Sequence, residues 1–193
     1  MYLGFRVTEN INVFKRDYDL SGVIWEGLKT VYDGSAKYAS LSGLPEGVEV
    51  IEYIGNGSVN AGIYVIRAVL VYDEENYNPP SLADAVMTVE KKTVMLPDIK
   101  NAQYTSEPVF PNIEASDLYT YAFSGATSAG EYKVIFQLTD SDNYTFEGNL
   151  STAEKSFFVD KIKITVQIKD VEKYLFGKYS EPEYVILSGN VFE

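Results

Sequence analysis

From Gly62 onward the chain alternates with a period of two. Tyr64, Ile66, Ala68, Leu70 and Tyr72 fall on one side, and Val65, Arg67, Val69 and Val71 on the other, the pattern of a strand that buries one face. Later, Tyr132, Val134, Phe136 and Leu138 alternate with Lys133, Ile135, Gln137 and Thr139 in the same way. The first set of each pair is expected to face a core. Shorter runs at 48–53, 84–89 and 156–159 read as further strands. Turn-forming clusters such as Gly43-Leu44-Pro45-Glu46-Gly47 and Asn78-Pro79-Pro80 bound them. No convincing amphipathic helix interrupts the series. Short strands separated by turns predict an all-β chain of antiparallel sheets packed face to face, the Ig-like β-sandwich solution.

The pattern also repeats. Tyr53, Asn60-Ala61-Gly62-Ile63-Tyr64 and Asp73-Glu74-Glu75-Asn76-Tyr77 are answered by Tyr121, Ser128-Ala129-Gly130-Glu131-Tyr132 and Asp140-Ser141-Asp142-Asn143-Tyr144, at offsets of 68, 68 and 67 residues. Thr88-Val89-Glu90-Lys91 matches Phe158-Val159-Asp160-Lys161 at an offset of 70. That period suits a small sandwich module. Two elements of the repeat have mechanical readings. In Ala-Gly-x-Tyr, the Tyr can bury its ring and return its hydroxyl to nearby backbone, as in a tyrosine corner. In Asp-x-x-Asn-Tyr, Asp and Asn close a turn by bonding their own backbone, and Tyr re-enters the next strand.

Tyr18-Asp19-Leu20-Ser21-Gly22-Val23, Val31-Tyr32-Asp33-Gly34, Leu44-Pro45-Glu46-Gly47-Val48, Tyr53, Gly55-Asn56-Gly57, Ala61-Gly62-Ile63-Tyr64 and Asn76-Tyr77 occur in this order. Together they resemble the MBG-type (YDG-like) repeat, an Ig-like module of large bacterial extracellular proteins. The resemblance is close over about 17–91. The second copy diverges, with Tyr104-Thr105-Ser106 where Tyr-Asp-Gly is expected. The resulting expectation is tandem Ig-like modules: 1–16 as the tail of a preceding repeat, 17–91 as repeat one, 92–161 as a divergent repeat two, and 162–193 as the truncated start of a third. End pieces of this kind lack strand partners. Short links at Lys91-Lys92 and Lys161-Ile162 are expected to make a semi-rigid array.

Composition narrows the chemistry. The 193 residues carry 16 Lys plus Arg against 28 Asp plus Glu, a net charge of −12 with no His and no Cys. This balance repels phosphate backbones and anionic lipid head groups, so nucleic acid and membrane insertion are not expected. Thiolate, imidazole, disulfide and zinc chemistry have no side chains to run on. Nothing near the N-terminus reads as a signal peptide, and no segment approaches a membrane span.

No catalytic motif is complete. Gly125-Ala126-Thr127-Ser128-Ala129-Gly130 has P-loop glycine spacing but continues into Glu131 instead of Lys. Asp140-Ser141-Asp142-Asn143 looks like the start of a Ca²⁺ loop, with Asp140 and Asp142 as candidate ligands. Thr145 and Ser151, however, occupy the positions an EF-hand gives to Gly and Glu. The expectation is a solvated turn and no cofactor. Glu49 and Glu52 read as surface charge in preference to a glycosidase pair, and the chain is expected not to be an enzyme. The 16 Tyr, 10 Phe and one Trp exceed the needs of two small cores. Trp25, Tyr38, Tyr119 and Tyr174 have no place in a core stripe, which makes them the candidate stacking residues for a glycan. The simpler expectation is that Trp25 anchors an early strand and the tyrosines pair across strands. Sequons stand at Asn56, Asn143 and Asn149, and Asn56-Gly57 is expected to form a hairpin turn.

The family resemblance implies a non-enzymatic spacer or stalk segment of a bacterial protein that is secreted or attached to the cell wall. Its expected partners are neighbouring repeats of the same polypeptide. The alternative is an adhesin or carbohydrate-binding module, whose exposed aromatics engage a glycan or a host surface protein.

Overall fold

The computed structural model describes residues 4, 9–169 and 184–188. Among them every regular element is a strand, and no helix is long and apolar enough to cross a membrane. In chain order the strands are β1 (Ile24–Glu26), β2 (Lys29–Val31), β3 (Ser40–Ser42), β4 (Glu49–Ile54), β5 (Gly62–Val71), β6 (Ala85–Glu90) and β7 (Lys92–Thr93). There follow β8 (Ala102–Gln103), β9 (Tyr119–Ala122), β10 (Gly130–Leu138), β11 (Tyr144–Thr145), β12 (Thr152–Asp160), β13 (Thr165–Ile168) and β14 (Tyr184–Ser188). The chain divides into two compact units, Met1–Lys92 and Thr93–Glu193.

In the first unit a four-stranded sheet runs β2-β6-β5-β4, and β1 pairs with β3 in a separate ladder. The alternation expected along β5 is present except at Val69: Ile66 is fully buried and Tyr64, Ala68 and Leu70 are half-buried, while Ile63, Val65, Arg67 and Val71 are exposed; Val69, expected on the outer side, is half-buried too. Ile66 joins Ala39, Met87 and Val89 in the core, with Trp25, Leu28, Tyr32, Tyr53 and Tyr64 packed on it. Residues from the β1–β3 side therefore cover the inner face of the large sheet, as a sandwich requires. Strand β4 breaks the period. Its register against β5 shifts between Val50 and Glu52, so Ile51 is the extra residue of a bulge. Val50 and Tyr53, three positions apart, consequently share the inner side.

The second unit has a sheet of order β8-β12-β10-β9. Along β10, Val134, Phe136 and Leu138 are buried, and the intervening Lys133, Ile135 and Gln137 are exposed. These residues meet Val94, Tyr119, Ala126, Phe146, Phe157 and Val159 in a larger and more aromatic core. Val94 N–H donates to the Thr145 carbonyl (2.8 Å).

The two sheets correspond strand for strand. Tyr53 lies opposite Ala68, and Tyr121 opposite Phe136; Gly62 lies opposite Val89, and Gly130 opposite Val159. The sheets are antiparallel except at one edge of each, where β2 runs parallel to β6 and β8 parallel to β12. A parallel neighbour needs a long connection, and the whole body of each unit supplies it. After the edge strand, Tyr32 N–H donates to the Glu90 carbonyl and Tyr104 N–H to the Asp160 carbonyl, at 2.8 and 2.9 Å.

The chain ends differ from these bodies. Between residues 9 and 15 there is no strand, and Ile11, Val13 and Phe14 are exposed. Among the described residues, Lys15 Nζ donates to the Glu74 carbonyl, and the first backbone bridge is that of Arg16, parallel to Tyr77. Strands β13 and β14 pair antiparallel, but Val166, Ile168, Tyr184, Val185, Ile186 and Leu187 are all exposed. A two-stranded ladder with no buried face contributes little stability of its own.

Candidate functional site

Each unit carries the same pair of local devices. At the start of β5 the Tyr64 hydroxyl donates to the Asn60 carbonyl (2.8 Å). At the start of β10 the Tyr132 hydroxyl donates to the Ser128 carbonyl (3.0 Å) and lies 2.9 Å from Ser128 Oγ. Both rings pack on their own cores. The expected tyrosine corner is thus formed twice, four residues upstream each time.

The Asp-x-x-Asn-Tyr turns are also built alike. Asp73 Oδ1 accepts the N–H groups of Glu75 and Asn76 (3.0 and 3.2 Å), and its Oδ2 accepts Asn76 Nδ2 (2.8 Å). Asp140 Oδ1 accepts the N–H groups of Asp142 and Asn143 (both 3.1 Å), and its Oδ2 accepts Asn143 Nδ2 (2.9 Å). The Asn76 side-chain amide is the main cause that holds the Asp73 carboxyl below its ordinary range, followed by the Asn76 backbone N–H. Both Asp140 oxygens are therefore engaged by the turn itself, while Asp142 is exposed. Among the described residues no group of three or more acidic side chains is placed to hold a metal ion. Glu49 and Glu52, the other carboxylates singled out, are both exposed on β4.

The stacking candidates separate. Trp25 faces the first core, its indole N–H 3.4 Å from the Ala83 carbonyl and its ring 5.9 Å from that of Tyr53. It anchors the short strand β1. Tyr119 is buried in the second core, edge-on to Phe136 at 5.3 Å, so its ring is committed to packing and has no face free for a ligand. Its strand is too short for sequence periodicity to reveal this. Tyr174 lies outside the described residues. Tyr38 is the exposed member, 68% accessible, with its ring edge against Gly57. Phe110, which the sequence did not single out, is 62% exposed; its ring lies against Gly125 and edge-on to Phe123.

The loop under Tyr38 departs from the expected hairpin. A two-residue turn would need positive φ at Asn56 and Gly57, but the glycines on either side of Asn56, Gly55 and Gly57, take it instead, with φ of 83° and 82°. Asn56 instead reaches across to the segment before β3. Its Oδ1 accepts Ala39 N–H (2.8 Å), and its Nδ2 donates to the Ala39 carbonyl (2.7 Å). Gly57 N–H donates to the Lys37 carbonyl (3.0 Å), and Lys37 N–H to the Ser58 carbonyl (2.8 Å). One side-chain amide thus takes the place of a strand residue. Beside it Lys37 pairs with Asp33, which lowers the Asp33 carboxyl below its ordinary range. The sequons are structural as well: Asn143 is buried against Asp140, and Asn149 is the left-handed residue (φ 61°) of the turn closed by Phe146 and Leu150.

In comparison with known proteins, the chain matches no family model, no curated protein and no solved structure.

Proposed function

We propose that the chain is a non-enzymatic spacer segment built from tandem Ig-like modules of the MBG-type, in a bacterial protein exposed at the cell surface or secreted. The observation that carries this reading is the strand-for-strand correspondence of the two sheets, each with its own core, tyrosine corner and Asp-Asn turn. A module that closes its own core needs its neighbours only as attachments. Four of the residues that drew chemical interest are consumed in that construction: Trp25 and Tyr119 in packing, Asp140 and Asn143 in a turn. The net charge of −12 favours solubility and opposes self-association. The bacterial, extracellular placement rests on the sequence resemblance alone.

Tyr38 supports the second reading, an adhesin or carbohydrate-binding module, because its exposed ring sits on a loop held by four hydrogen bonds. One experiment separates the two. The chain is placed between a surface anchor and a reporter domain, then exchanged for an unrelated pair of sandwich modules of equal length, and the full chain is screened on a glycan array. Unchanged reporter accessibility with no glycan bound supports the spacer. A glycan hit lost in Tyr38→Ala overturns it in favour of the adhesin. A melt with and without millimolar CaCl₂ is expected to show no shift, because a native-state ligand would stabilise by mass action; a rise abolished by Asp140→Ala makes the turn a metal site.

A further inference from the structure

Asn56-Gly57 is the one Asn-Gly pair in the chain. Asparagine before glycine is the dipeptide most open to spontaneous deamidation, since the following residue has no Cβ to hinder approach of its nitrogen. The reaction needs no cofactor. The Gly57 nitrogen attacks Asn56 Cγ, the Cγ–Nδ2 bond breaks, and ammonia leaves carrying the proton that Gly57 gave up. Water then opens the succinimide to aspartate or isoaspartate.

In the folded chain each participant is occupied. The Gly57 N–H, whose nitrogen must approach Cγ and lose that proton, donates to the Lys37 carbonyl, and both polar atoms of the Asn56 amide are held by Ala39. We propose that Asn56 is a one-way latch. The native loop suppresses its deamidation, and a local opening that allows the reaction makes release of the 37–39 segment permanent. The permanence follows from donor count. The amide gives Nδ2–H to the Ala39 carbonyl, whereas the carboxylate that replaces it has acceptors only and sets one of them against that carbonyl. Ala39 itself is 1% exposed and belongs to the first core, so the lost contact reaches the packing beneath.

Opening must break four hydrogen bonds: Ala39 to Asn56 Oδ1, Asn56 Nδ2 to Ala39, Gly57 to Lys37, and Lys37 to Ser58. At roughly a fivefold population penalty each, the expected suppression is on the order of several hundred-fold. The test incubates the full chain at mildly alkaline pH, native and in denaturing urea, and follows Asn56 by peptide mapping. Hydrogen exchange of the Gly57 and Lys37 amides is measured on the native sample, and melts are recorded on the separated deamidated fraction. Support is a native rate hundreds of times below the rate in urea, amide opening of matching size, and a lower melting temperature for the deamidated chain. Equal rates in the two conditions overturn the protection. A deamidated fraction that melts with the intact chain overturns the release. Both readouts use the unaltered sequence, so they stand even where Asn56→Asp fails to fold.

Discussion

Tyr132→Phe removes one oxygen and leaves a ring of almost the same shape. The ring keeps its contacts with Phe123 and Phe157, whose centroids lie at 6.0 and 6.1 Å. Lost with the hydroxyl are its bond to the Ser128 carbonyl (3.0 Å), its bond with Ser128 Oγ (2.9 Å) and the weaker one it accepts from Ser128 N–H (3.3 Å). With about 0.5–1.5 kcal/mol net for such a bond, discounted because the site is near solvent, the change costs about 1 kcal/mol. For a domain of this size that is a fall of about 4–8 °C in melting temperature. The assay is calorimetry on the full chain, with exchange of the Ser128 amide as a local probe. The expected result is a fall in the transition of the second unit alone, with faster Ser128 exchange. Tyr64→Phe should lower only the first unit, since its hydroxyl bonds Asn60 in that unit (2.8 Å). A Tyr132→Phe chain that melts within about 1 °C of the parent would show that water replaces the corner without loss. A fall shared equally by both transitions would refute units that each close their own core.

Phe136→Ala should cost about 3–5 kcal/mol, because the side chain is fully buried and its removal leaves a cavity beneath Tyr119 and Tyr121; urea unfolding of the second unit measures it. Gly55→Ala should lose at least about 1–2 kcal/mol by chemical denaturation, since φ is 83° there and a Cβ would run into the Val65 carbonyl oxygen. Asp73 has a folded pKa below its ordinary value of 3.8, so its support is complete above the unfolded pKa and disappears as pH falls through the lower folded value. Asp73→Ala should therefore lower the melting temperature at neutral pH and flatten its decline between about pH 5 and pH 2; a parallel decline in both chains would contradict this.

Elements governed by local periodicity were legible in the sequence. Strands β5 and β10 are long enough for alternation to declare a buried face, and the corner and turn devices need only residues within a few positions of one another. What stayed hidden depends on distant partners. The bulge at Ile51 destroys the period that would have placed Tyr53. Asn56 acts on Ala39, 17 residues away, and nothing local to Asn-Gly announces that contact. Trp25 anchors an early strand as expected, but strand β1 has three residues, too few for periodicity alone to assign its face.

The parallel edge pairing has a mechanical consequence. Strands β2 and β6 lie side by side and point the same way, as do β8 and β12. When tension pulls the chain taut from its two ends, the earlier strand of each pair is drawn backward and the later one forward. The bonds between them then meet the force in shear, all at once, instead of being unzipped singly. Antiparallel partners in the same positions would peel apart one rung at a time. A chain stretched by flow would give way last where its edge strands run parallel.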